Sequence, residues 1–169
     1  INIADGATLN AATNNNSLRA TNISLASGTT SGGILNLATN TVNGAIDGAS
    51  PNSGTVNLTA TRTLPSSFAT TNGLKTVNIS DGTTITLSNS NLKATTLNVG
   101  TGASATTLTI NAARTITGAV NVPTNSIMNF SVNSANVSGS IDGAGTLNFN
   151  GSGSLYSMSA NIGSTTPLS

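Results

Sequence analysis

Apolar and polar residues alternate along this chain at a period of two. Short apolar–polar–apolar triplets recur: Ile1-Asn2-Ile3, Ile23-Ser24-Leu25, Leu35-Asn36-Leu37, Val56-Asn57-Leu58, Val77-Asn78-Ile79, Leu97-Asn98-Val99, Met128-Asn129-Phe130 and Leu147-Asn148-Phe149. Others interleave with them, at Ile85-Thr86-Leu87, Leu108-Thr109-Ile110 and Val120-Asn121-Val122. Alternate side chains of an extended strand share a face, so each triplet turns its apolar pair one way and its central polar residue the other. Asn43-Gly44, Asn72-Gly73, Asn150-Gly151 and several Asp-Gly pairs separate the triplets, and these dipeptides favour turns. Apolar positions at helical spacing are missing. The pattern predicts an all-β chain of short strands.

The spacing of the triplets adds an architecture. Starts at Leu35, Val56, Val77 and Leu97 are separated by 21, 21 and 20 residues, and Met128 to Leu147 by 19. A fixed period near 20 residues marks a stacked solenoid. A longer self-similarity overlies it, with 1–46 resembling 77–120. INIADGATL at 1–9 matches VNISDGTTI at 77–85, and SLRATNISL at 17–25 matches NLKATTLNV at 91–99. LNLATNTVNGAI at 35–46 matches LTINAARTITGAV at 108–120 with one residue inserted. The fold expected is a right-handed parallel β-helix of about seven or eight turns of about 20 residues, a rod roughly 35–40 Å long. Residues 1–150 form one repeat domain, and 151–169 read as a last turn or C-terminal linker. The stretch 61–73 breaks the rhythm with Pro65 and Phe68 and is expected to loop out of the rod. The chain begins at Ile1 and reads as a fragment of a longer protein.

Composition changes the picture by exclusion. Of 169 residues only 5% are charged and 2% aromatic, the net charge is +1, and His, Cys and Trp are absent. Thr, Asn and Ser together make up roughly 45% of the chain, far above ordinary usage. Without His or Cys there is no Ser-His or Cys-His pair and no imidazole- or thiolate-bound zinc. Five scattered cations are too few for a nucleic-acid footprint. No apolar run reaches the ~20 residues of a membrane-spanning helix. Stacked backbone hydrogen bonds and slim aliphatic columns need neither aromatics nor ion pairs. Low charge is therefore compatible with a folded rod.

Several residue sets are candidates for function. Asp5, Asp47, Asp81 and Asp142 are each followed by Gly, which points to turns. A paired-carboxylate glycosidase would need two of them ~5–10 Å apart, yet they lie one per repeat. The central Asn residues Asn2, Asn36, Asn57, Asn78, Asn98, Asn129 and Asn148 would form one outward stripe if their strands stack in register. Such a stripe is an amide ladder that stabilises the stack, or a polar lane for self-association or ligand contact. Thr-x-Thr occurs at 59–63 (Thr59-Ala60-Thr61-Arg62-Thr63), 84–86, 107–109 and 115–117, a pattern suited to ice binding, but its spacing reads as irregular rather than one per turn. Arg19 and Lys93 hold equivalent positions in the duplication and read as a solvated face. Arg62, Pro65 and Phe68, on the expected loop, are candidates for specificity. No catalytic, cofactor-binding or metal-binding residue is expected, and hence no cofactor.

Two stretches carry a resemblance. VSGSIDGAGTLNFNGSGS at 137–154 and TVNGAIDGASPNSGTVNL at 41–58 resemble passenger repeats of bacterial autotransporters, the type V secretion family, in the style of the rickettsial-type outer-membrane surface antigens. The Ile-Asp-Gly-x-Gly-Thr-Leu-x-Phe run at 141–149 is the motif-like part. The resemblance implies a β-helical passenger, exported and displayed at the bacterial cell surface, with a β-barrel anchor elsewhere in the full protein. It implies a non-catalytic role in virulence or cell adhesion, as an adhesin, a surface-layer component or a stalk. The partner would be a host-cell surface receptor, or another copy through self-association, with no nucleic acid and no transmembrane segment in this chain. The alternatives are a polysaccharide-active β-helix enzyme and an ice-binding solenoid.

Overall fold

A computed structural model describes residues 1–11, 17–28, 32–38, 41–151, 161–163 and 165–168. The described chain is all-β, a solenoid of about 7 turns whose parallel strands stack about 21 residues apart. Its strands, β1 to β17 in chain order, fall into three sheets. The first holds β1 (Asn2–Ile3), β3 (Leu18–Leu25) and β5 (Val42–Gly48). The second runs β2 (Thr8–Ala11), β4 (Ile34–Leu37), β6 (Thr55–Leu58), β8 (Leu74–Ile79), β10 (Leu92–Val99), β12 (Thr115–Asn121), β15 (Ser140–Asp142) and β17 (Asn161–Ile162), and β14 (Asn136–Ser138) pairs with the start of β12. The third holds β7 (Arg62–Thr63), β9 (Thr84–Leu87), β11 (Thr106–Ile110), β13 (Ser126–Phe130) and β16 (Thr146–Phe149). Because β17 pairs with β15 through Ile141 and Ile162, the stacking continues beyond residue 150.

The triplets set the inside and outside of the rod. In β4, β6, β8, β10, β12 and β15 the residues Leu35, Val56, Val77, Leu97, Val120 and Ile141 stand in register. All six are buried and form one aliphatic column. The third sheet adds the columns Ile85–Leu108–Met128 and Leu87–Ile110–Phe130. Phe130 then stacks on Phe149, ring centroids 5.0 Å apart and planes 9° apart. At about 25 cal/mol per Å² of apolar surface removed from water, these columns are the main favourable contribution to folding.

Segment 61–73 does not loop out. Its Arg62–Thr63 strand pairs with β9, Phe68 bridges to Ile46, and Leu64, Phe68 and Ala69 are buried in the core. Ala69 donates its N–H to Ile46 O and accepts one from Lys93, which threads the first face from β5 on to β10. Pro65 interrupts the local alternation, but the turn-to-turn hydrogen bonds resume on either side of it. Phe68 fills the core of this turn, which spans the same 21 residues, Val56 to Val77, as the turn before it, Leu35 to Val56.

The two halves of the duplication do not lie above one another. β1 lies in the first sheet, whereas its copy β8 lies in the second, three steps along from β2; β2 lies in the second, and its copy β9 in the third. The second copy is thus rotated by one face of the rod. The same tight corner is carried round with it. Leu18-Arg19-Ala20-Thr21 and Leu92-Lys93-Ala94-Thr95 both contain a register shift where the strand bends from one face to the next. The next turn crosses each bend with a glycine. A Cβ on Gly44 would stand 1.6 Å from the Ala20 carbonyl oxygen, and one on Gly118 1.7 Å from that of Ala94. Both glycines also hold positive φ, 130° and 122°.

Gly118→Ala therefore combines a backbone clash with unfavourable φ. Gly82, at φ 76° with open space around it, faces only the φ cost, about 1–2 kcal/mol. Urea unfolding of the two alanine variants should show Gly118→Ala losing clearly more stability than Gly82→Ala. Equal losses would mean that the corner does not depend on close backbone approach.

Candidate functional site

The repeated polar chemistry of the chain lies on the outer surface of the second sheet. Asn36 donates its amide to Asn10 Oδ1 at 2.6 Å, and Asn57 donates to Asn36 at 2.6 Å. Asn78 donates to Asn57, and Asn98 to Asn78, both at 2.8 Å. Asn121 stands in register beyond Asn98, and Asp142 beyond Asn121. The parallel register makes this possible: each Asn sits directly over the next, one strand spacing away, and an amide carries both donor and acceptor.

The expected single stripe of seven Asn is thereby corrected. Asn36, Asn57, Asn78 and Asn98 share one file. Asn129 and Asn148 form a separate pair on the third sheet, with Asn148 donating to Asn129 at 2.9 Å. Asn2 lies on the first sheet, in register with Ser24 and, beyond it, Asp47. The rotation of the duplicated half moves equivalent triplets onto different faces. Asn10 and Asn121 belong to the main file as well. Asn10 is flanked by Leu9 and Ala11, a pair too weakly apolar to stand out, while Asn121 sits in one of the interleaved triplets.

The four aspartates fasten corners. Gly32 N–H donates to Asp5 Oδ1 at 2.9 Å, from one turn further along. Asp47 accepts N–H bonds from Thr71, Asn72 and Gly73 of the next turn, at 2.7, 3.2 and 2.8 Å, besides that of Gly48 at 2.9 Å. Asp81 accepts from the Thr101 hydroxyl and from its N–H, the latter at 2.9 Å. Thr165 N–H donates to Asp142 at 2.9 Å. Each carboxylate thus satisfies backbone donors of a neighbouring loop, beyond the turn role that Asp-Gly suggests locally. Among the described residues, no group of three or more acidic side chains comes together to hold a metal ion. Among the described residues, no helix is long and apolar enough to cross a membrane.

Among the residues expected to give specificity, Phe68 is fully buried and Arg62 is 8% exposed. Arg62 Nε lies 3.4 Å from Ala60 O, and burial lowers its pKa from the ordinary guanidinium value. Pro65 and Arg62 line a small cleft with Val42, Leu64 and Asn89. Arg19 is exposed and unlike its counterpart, since Lys93 is half-buried and donates to Thr71 O at 3.4 Å. A shallow groove over Asn78, Asn98, Gly100, Thr101 and Asn121 runs beside the main Asn file.

The third sheet corrects the reading of Thr-x-Thr. Thr63 pairs with Thr86, and Thr86 with Thr109; Thr84 pairs with Thr107, and its N–H donates to Thr61 Oγ1 at 3.0 Å. Thr61–Thr63, Thr84–Thr86 and Thr107–Thr109 therefore stand one per turn on one face. Thr115–Thr117 lies elsewhere, in β12. The geometry defines the chain as a β-solenoid repeat protein with a fastened Asn face and a threonine face. Comparison with protein-family models, with characterised proteins and with solved structures gives no match.

Two predictions test the fastening. Asn57→Ala removes two ladder bonds, and Asn10→Ala, at the end of the file, removes one. At about 0.5–1.5 kcal/mol per net hydrogen bond, chemical denaturation should show the Asn57 variant losing about twice as much as the Asn10 variant. The Thr101 hydroxyl and N–H hold the Asp81 carboxyl below its ordinary pKa. A folded-state pKa below the unfolded one gives stability that is complete above the unfolded value, near 4, and is lost as pH falls through the folded value. Melting curves should show wild type more stable than Asp81→Asn near neutral pH, with the gap closing below about pH 4. A gap that persists to pH 2 would count against the carboxylate's role.

Proposed function

We propose that this chain is a β-solenoid passenger segment of a bacterial surface protein, displayed outside the cell as a rigid, non-catalytic spacer. The observation that supports this most strongly is the direction of its polar bonds. The Asn file and the Asp fastenings all run from turn to turn, along the stack rather than toward a converging cleft. Side chains used this way resist separation of the turns, which suits an element that holds something else at a distance. The resemblance of 41–58 and 137–154 to autotransporter passenger repeats supplies the export route and surface location. Roles as an adhesin or a surface-layer component belong to the same class, with a host-cell receptor or another copy as partner. The polysaccharide-cleaving alternative is the weaker reading, because the carboxylates it would use are engaged with backbone N–H groups of neighbouring loops.

The test uses the full-length protein on intact cells. External protease or an impermeant label should reach this segment. Replacing it by an unrelated solenoid of equal length should preserve the function of the displayed protein, while deleting several turns should reduce it. Loss of cell binding after the equal-length replacement would overturn the spacer in favour of an adhesin. A segment labelled only after lysis would overturn surface display.

A further inference from the structure

The threonine face of the third sheet is organised differently from the Asn face, and nothing in the spacer reading uses it. Thr61, Thr63, Thr84, Thr86, Thr107 and Thr109 form two parallel columns over three consecutive turns. The strands that carry them pair without the register shifts seen at the bends of β3 and β10. Between the columns, Arg62, Ile85 and Leu108 point inward and are buried, so that the outward surface consists of threonine alone. It bears no charged side chain and no long flexible one. Among the described residues, the hydroxyls of Thr63, Thr84, Thr86, Thr107 and Thr109 make no protein hydrogen bond that would draw them from the surface. The Asn file is the reverse, with amides bonded to one another.

We propose that this face binds ice. Stacked parallel strands repeat about every 4.8 Å across the sheet, and alternate residues along a strand repeat about every 6.6–6.8 Å. The five hydroxyls of Thr63, Thr84, Thr86, Thr107 and Thr109, with Thr61 closing the edge by accepting the Thr84 N–H, thus make a two-dimensional grid with nearly perpendicular repeats, of the same order as the water-oxygen repeats on a prism face of hexagonal ice. Threonine presents a hydroxyl for hydrogen bonding beside a methyl that keeps neighbouring water from disordering. Its branched Cβ restricts χ1, so the hydroxyls are held in few orientations. The buried Ile85, Leu87, Leu108 and Ile110 beneath make the support rigid. Ordering a water costs about 0–2 kcal/mol; a rank of waters held between fixed columns is ordered before it meets the ice lattice, which lowers the cost of adsorption. The grid ends where Ile127 and Asn129 take the same places in the next turn. Three turns make a small face, suited to shaping ice crystals and slowing recrystallisation more than to deep depression of freezing.

The test is ice-affinity partitioning of the fluorescently labelled chain into slowly grown ice, with crystal shape followed by microscopy. The variants are Thr86→Lys, at the centre of the grid, and Thr76→Lys, on the outward surface of the second sheet. Circular dichroism and melting confirm that each is folded; if Thr86→Lys is not, Thr107→Lys takes its place. Wild type and Thr76→Lys should enter ice several-fold more than an inert protein of similar size and facet the crystals, and the grid variant should fall to the inert level. Wild type that is excluded like the inert protein overturns the proposal. So does a folded grid variant that partitions like wild type. Neither result bears on the spacer role.

Discussion

Parallel pairing of each turn with the next is the constraint on which this molecule depends. It fixes the rise at one strand spacing and places each outward residue over its counterpart one turn away. Inside, that arrangement favours branched aliphatics, which fill a narrow prism as continuous columns. Outside, it favours side chains that can neighbour their own kind. Asn does so by donating and accepting at once; Thr does so because its hydroxyl is both donor and acceptor. A charged column would place like charges ~4.8 Å apart at every turn, and the 5% charge of the chain reflects this.

The remaining charges show where the constraint relaxes. Asp5 and Asp81 stand in turns and Asp47 and Asp142 near the ends of β5 and β15, and all four accept N–H groups of neighbouring loops, where the backbone has left the ladder and needs other acceptors. Asp47 meets three such donors from the next turn. Arg62 is buried in the same turn as Phe68, where Pro65 interrupts the local alternation. Arg62, Pro65 and Phe68 thus gather where the local alternation breaks, whereas Phe130 and Phe149 continue a regular column in register.

Corner geometry decides how the surface is distributed. Gly44 and Gly118 let the chain cross a bend close to the carbonyl of the turn before, and the bend appears once in each half of the duplication. Because the second half is rotated by one face, equivalent sequences present themselves in different directions. One face thereby collects a file of six asparagines and another collects paired threonines. The two faces differ in what they offer a partner: bonded amides beside a single file of threonines on one, paired columns of threonines on the other.

The sequence by itself determined the strand alternation, the inward columns, the period near 20 residues and the internal duplication. Each of these is local or simply periodic, and burial of apolar side chains against water enforces it directly. Tertiary structure alone decided which triplets share a face, that Phe68 turns into the core, which backbone donors each aspartate meets, and that three Thr-x-Thr pairs stand in register. A residue's position around the rod is the sum of all preceding turn and corner lengths. Partners along the Asn file are separated by 26, 21, 21 and 20 residues. The corners absorb such differences by bends and glycines whose geometry depends on the neighbouring turn. Local sequence therefore says which way a side chain points from its own strand, and only the assembled stack says what stands beside it.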